Sequence, residues 1–181
     1  MNGVTIVLHA LHQGERDLVD GLVALSERHR AEHEVHHVAT DVADWSREHV
    51  RRLTDTAAHY GLDLDGLSDA PSPGLFASPG PFAMPGPFAA SGPFAAPGRK
   101  APEGADDGLG PGLLLLRDLR GTHLAAAYNS LHWEMLAQAA QALRDHRLLA
   151  LASFCHPRTL RQMRWTNTLL KNLSPQSLTS P

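Results

Sequence analysis

Between Gly61 and Gly112 the chain cannot form a regular helix, and that interruption constrains every fold open to it. The segment holds 10 of the 13 Pro, 11 of the 15 Gly and 4 of the 5 Phe in the 181-residue sequence, so composition averaged over the whole chain describes neither part. Within it, Gly74 to Pro97 repeats one degenerate hexapeptide, as GLFASP, GPFAMP, GPFAAS and GPFAAP. Proline fixes φ and removes the amide a helix needs, while glycine raises the entropic cost of any regular element. Such a composition favours a polyproline-like extended form, and the repeats carry no stripe able to bury a core. An extended or disordered connection is the expectation. The remaining sequence is rich in Ala, Leu and Arg, which are strong helix formers.

Helical periodicity is plain on both sides of the interruption. Val4, Leu8, Leu11, Leu18, Leu22 and Leu25 recur at spacings of three and four, which predicts a first amphipathic helix over about 4–30. Val35, Val38, Val42, Trp45, Leu53, Ala57 and Tyr60 predict a second over about 33–60, stopped by Gly61. A third is expected over about 112–145, on Leu113, Leu116, Leu119, Ala126, Ala127, Leu131, Leu136 and Ala140. The fourth follows over about 147–172, on Leu149, Ala152, Leu160, Met163 and Leu170, with Pro157 expected to bend or restart it. Residues 1–60 and 113–173 thus read as two antiparallel hairpins of one domain, joined by the 61–112 connection and followed by a frayed tail over 174–181. The predicted fold is all-α, a four-helix bundle with one long crossover.

Each predicted helix carries a polar residue on its apolar stripe: Glu15, His49, Glu134 and His156. Burying a carboxylate or imidazole costs several kcal/mol unless it is paired, hydrogen-bonded or metal-bound. At a rise of about 1.5 Å per residue, Glu15 and His49 lie roughly 25 and 26 Å from the first turn, and Glu134 and His156 roughly 18 and 15 Å from the second. A full-length crossover places the two turns at opposite ends of a bundle about 42 Å long, which brings all four groups to one level.

This frame resembles ferritin-like proteins, whose two-metal members carry a Glu on two helices and a Glu-x-x-His on the other two. The segments EVHHVATDVADWSREH and CHPRTLRQMRW are similar to parts of uncharacterised ferritin-like proteins of high-GC bacteria. The resemblance implies Glu15 and Glu134 in the place of the single glutamates, with His156 and His49 in the place of the histidines. Ser153 and Ser46 stand where the motif carboxylates belong, so the set implied is for one iron or manganese ion, not a bridged pair. The expected role is redox chemistry or metal handling. The alternative is a metal-free bundle acting as a protein interaction module, with Glu15, His49, Glu134 and His156 forming a hydrogen-bonded layer that fixes helix register. Asp44 and His12 stand close enough in sequence to complete either arrangement.

Other motifs are weaker. His33, Glu34 and His37 satisfy H-E-x-x-H, but they fall at the first turn, with Thr40 and Ala43 where a metzincin needs Gly and His. Cys155 beside His156 has the residue types of an activated thiol, yet adjacent helical positions point about 100° apart, which favours a packed cysteine. Trp45, Trp133 and Trp165 read as core or interface residues. Sixteen Lys and Arg against nineteen Asp and Glu give a net charge of −3, without the basic cluster that nucleic acid or anionic lipid selects. No basic leader and no membrane-length apolar run is visible, so a cytoplasmic protein with a homodimeric or protein partner is the expectation.

Overall fold

The computed structural model describes residues 3–66 and 109–179, and the hexapeptide repeats lie outside them. The described residues form α1 (Gly3–Arg28), α2 (His33–His59), α3 (Pro111–Leu143) and α4 (His146–Thr179), with no strand among them. None of these helices is long and apolar enough to cross a membrane.

The helix ends follow from local chemistry. Gly61 takes the left-handed conformation at φ 69°, which lets the Leu62 amide reach back to the Ala57 carbonyl and close α2. Pro111 opens α3, where its missing amide costs nothing. The same backward bond closes α3, from the Asp145 amide to the Ala140 carbonyl, but here Arg144 occupies the left-handed position at φ 55°. Asp145 then caps α4, its Oδ1 accepting from the Arg147 and Leu148 amides. Its Oδ2 accepts the Tyr60 hydroxyl at 2.7 Å, tying the end of α2 to the α3–α4 turn. Burial and that bond push the Tyr60 hydroxyl up to about 12.

Cross-helix pairs fix the topology. Ser26 meets His36 and Thr40 while Glu15 meets His49, so α1 and α2 run antiparallel. His123 with Thr166 and Ser130 with His156 do the same for α3 and α4. Asp118 binds Arg28 and His29 while Trp133 binds Glu15, which sets α3 antiparallel to α1. Gln162 bonds to Val42 and Ser46 and joins α4 to α2, which the three pairings above make antiparallel. The backbones of α1 and α4, and of α2 and α3, stand on the diagonals. Every neighbouring pair is antiparallel, so the two tight turns lie at opposite ends and the connection crosses the length of the bundle, as the sequence pattern predicts. Its first residues already turn back along α1, with Leu64 buried against Val7, Leu8 and Leu11 and Asp65 beside Arg16.

The core is apolar at both ends and polar in the middle. Val7, Leu8, Leu11, Leu53, Trp133, Leu136 and Leu151 fill one end, and Leu18, Leu22, Leu25, Val42, Leu119 and Leu169 the other. Each fully buried leucine contributes roughly 1.5–3 kcal/mol. Between the two clusters lie Glu15, Ser46, His49, Asn129, Thr159 and Gln162, all essentially sealed from solvent.

The structure corrects two expectations for α4. The helix does not restart at Pro157 but continues through it, because Pro157 and Ser153, whose carbonyl loses its partner, both face solvent and water can replace the missing amide. Residues 174–179 are helical rather than frayed: Gly112 leaves room for Ser177, whose Oγ would lie 2.8 Å from a β-carbon added there.

The crossover reading makes a specific prediction. Deleting Gly74–Pro97 leaves about 26 connecting residues, whose reach of roughly 85 Å exceeds the ~50 Å length of α3. The deletion variant should melt cooperatively, with stability changed by less than about 1 kcal/mol. A connection cut to six residues should abolish the cooperative transition in circular dichroism.

Candidate functional site

The sequence brings a carboxylate into the core at Glu15 because Leu11, Glu15, Leu18 and Leu22 share one helical face. Its Oε1 accepts the Trp133 indole N–H from α3 at 2.9 Å. Its Oε2 stands 3.2 Å from His49 Nδ1 of α2, and both side chains are fully buried. That spacing suits an ion pair, but the approach angle is poor: Oε2 and both ring nitrogens of His49 lack hydrogen-bond partners among the described residues. The His49 ring meets the Trp133 indole edge-on at 5.8 Å between centroids. On the far side of this layer Gln162 donates to Ser46 Oγ and the Val42 carbonyl. One polar group therefore links three helices, and a second links α4 to α2.

Glu15 and His49 are together, as their heights along the bundle predict, but Glu134 and His156 do not join them. Glu134 is exposed, because the inward line of α3 runs through Leu119, Ala126, Trp133 and Leu136. Trp133, one residue earlier, reaches the level computed for Glu134, so the register is right and the face is wrong by one helical step. His156 is half-buried and turned toward α3, where its Nε2 pairs with Ser130 Oγ at 2.9 Å. Asp44 is exposed and bound to Arg47, and His12 pairs with Thr54 and Asp65. Among the described residues no three His, Cys, Asp or Glu side chains converge on a point that could hold a metal. Glu15 and His49 alone offer two donors and do not amount to the four-ligand set.

His33, Glu34 and His37 are all exposed, and the two imidazoles stack at 6.3 Å on the surface of α2. Cys155 is sealed in the core. Burial chiefly, with the Glu15 carboxylate, pushes its thiol far above the usual range, which leaves it protonated and inert. Sequence reasoning passed over His9 on α1, whose neighbour along the helix is the buried His12. Burial lowers the proton affinity of both, against the opposing charges of Asp63 beside His9 and Asp65 beside His12.

The outer face of the α3–α4 hairpin is the other feature the stripes misassigned. Leu131 and Leu160, expected in the core, are 61% and 45% exposed, with Met135 at 39% and Leu124 at 37%. The Ser130–His156 pair fixes the height at which the helices meet and places Leu160 between the levels of Leu124 and Leu131. Charges differ sharply between helices. On α2 every arginine is paired within the helix, Arg47 to Asp44 and Arg51 and Arg52 to Glu48. From His146 to Thr179, α4 has no carboxylate at all, and Arg161, Arg164 and Lys171 are exposed without an ion pair among the described residues.

Two measurements test this description. His49→Ala should cost about 3–5 kcal/mol by removing the imidazole that faces the buried Glu15 Oε2, whereas Glu15→Leu with His49→Leu should cost less, about 1–3 kcal/mol for the Trp133 indole N–H left without its acceptor. Because folding lowers the His9 and His12 pKa values, the unfolded chain binds protons more readily. Their contribution is complete above the ordinary histidine pKa of about 6.5 and is lost as pH falls through the folded values. Melting temperature should therefore drop on acidification from about pH 7 toward 5, and His12→Gln should flatten that dependence.

No protein-family model, curated protein or solved structure matches this chain, and its functional reading rests on the geometry of its own residues.

Proposed function

We propose that the chain is a helical-bundle interaction module that needs no metal, with the Glu15, His49 and Trp133 layer locking the frame and the α3–α4 outer face docking a partner. The observation that carries this reading is the exposure of Leu124, Leu131 and Met135 on α3 and of Leu160 on α4, with Glu134 beside Met135 and Arg161 and Arg164 beside Leu160. An exposed apolar centre within a polar rim is the usual composition of a protein contact. A hollow between Ala140 and Leu149 is open to solvent and is lined by Gln141, Arg144, Asp145 and His146 at the α3–α4 turn.

A second reading is a ferritin-like bundle that holds one iron or manganese ion for redox chemistry or metal handling. It is supported by the crossover connectivity and by the unpartnered Glu15 Oε2 and His49 nitrogens. Those two residues would supply the buried donors, with neither Glu134 nor His156 beside them.

Metal analysis of protein purified without a histidine tag separates the two. The interaction reading expects substoichiometric metal that does not change in the Glu15→Leu, His49→Leu variant. Stoichiometric metal that the same variant loses establishes the second reading. A photo-crosslinker at position 131 should capture a protein partner in cells, and one at position 17, on the charged outer face of α1, should not.

A further inference from the structure

The α3–α4 face carries a charge pattern as well as apolar area. Arg164 lies one helical turn beyond Leu160 and Lys171 two turns further, both exposed and unpaired among the described residues. The antiparallel pairing of His123 with Thr166 sets these cations at the Leu124 end of the patch. Glu134 lies at the other end, beside Met135. An exposed cation on a bundle helix is ordinarily answered by a carboxylate three or four residues away, as on α2, where Glu48 takes both Arg51 and Arg52. On α4 no such carboxylate exists in the sequence.

From this, resting on the interaction reading above, we propose that the α3–α4 face binds an acidic amphipathic helix of a partner protein. Leu124, Leu131, Met135 and Leu160 form the seat for its apolar stripe. Arg164 and Lys171 meet carboxylates at one end, and Glu134 repels them at the other, which gives the helix one direction. The charge complementarity selects this occupant over a second copy of the chain. The acidic outer residues of α1, Asp17, Asp20 and Glu27, adjoin one exposed large apolar side chain, Val23, with Gly21 and Ala24 beside it, which is too short a stripe to fill the seat.

The test is fluorescence anisotropy with the full chain and three labelled peptides. The peptides share leucines at helical spacings of three and four and carry glutamates, glutamines or lysines at one end. The glutamate peptide should bind, the glutamine peptide more weakly and the lysine peptide least, with the preference shrinking as salt rises. Arg164→Glu with Lys171→Glu should weaken the glutamate peptide at least about tenfold and reverse the preference toward the lysine peptide. Leu131→Asp should weaken all three, while Asp17→Lys with Asp20→Lys should change none. Thermal melts of these surface variants should match that of the parent chain.

Equal binding of all three peptides, lost in Leu131→Asp, overturns the acidic assignment and leaves the interaction reading standing. No binding of any peptide overturns both. Dimerisation in sedimentation velocity that Leu131→Asp abolishes overturns the assignment in favour of a second copy. Displacement of the peptide by duplex DNA or anionic vesicles at lower concentration overturns it in favour of a phosphate surface.

Discussion

The hydrogen bond from the Trp133 indole to Glu15 is the interaction on which the arrangement of the bundle depends. It joins α1 to α3, helices that no tight turn connects and whose relative height the backbone leaves open. A carboxylate sealed in an apolar core is costly unless it is answered, so any slip of α3 that takes the indole away strands Glu15. His49 adds the second partner from α2. Gln162, bonded to Ser46 and the Val42 carbonyl, fixes α4 against α2 at nearly the same level. Apolar clusters on either side supply stability without specifying register, because leucines slide past one another at small cost compared with an unpaired carboxylate.

That division of labour explains how a long connection can be tolerated. A loop of some fifty residues does little to choose where α3 docks, since closure entropy grows only slowly with length. The choice falls to the side chains. Arg28 and His29 hold Asp118 at one end of the α1–α3 contact and Glu15 holds Trp133 near its middle, so α3 is located from two points along α1. At the other end of the bundle Asp145 closes the α3–α4 turn and accepts the Tyr60 hydroxyl, locating the second hairpin against the end of α2.

Much of this was legible in the sequence. Four helices, their approximate bounds, the crossover and the common level of Glu15 and His49 follow from period, punctuation and helical rise. Most of the inward line of α3 follows as well, through Leu116, Leu119, Ala126, Leu136 and Ala140, but the fates of Glu134, His156, Leu131 and Leu160 do not. The stripe from Leu8 to Leu25 on α1 has only one solution, for charged residues occupy the opposite face. In α3, residues 121–142 contain a single charged side chain, Glu134, so apolar residues fall on every face and periodicity cannot tell inside from outside. Leu116, Leu119, Ala126, Leu136 and Ala140 are buried as their spacing predicts, but placing that one charge inside, to complete a metal set, put Glu134 on the wrong side of the helix.

The misplacement of Glu134 and Leu131 and the exposure of Leu124 and Met135 have one physical cause. A helix apolar on both sides needs something other than hydrophobicity to choose which side goes in, and the polar bond to Glu15 makes that choice. Once Trp133 is turned inward, Leu124, Leu131 and Met135 must lie outside, whatever their preference for burial. A chain under no constraint except its own stability would have charged residues there, as it has on α2. Their absence, together with an α4 that supplies cations and no carboxylates, means that both helices of one hairpin depart from self-sufficiency on the same face. Packing and charge inside the bundle account for neither departure, whereas the proposed partner, bringing an apolar stripe and negative charge, would account for both.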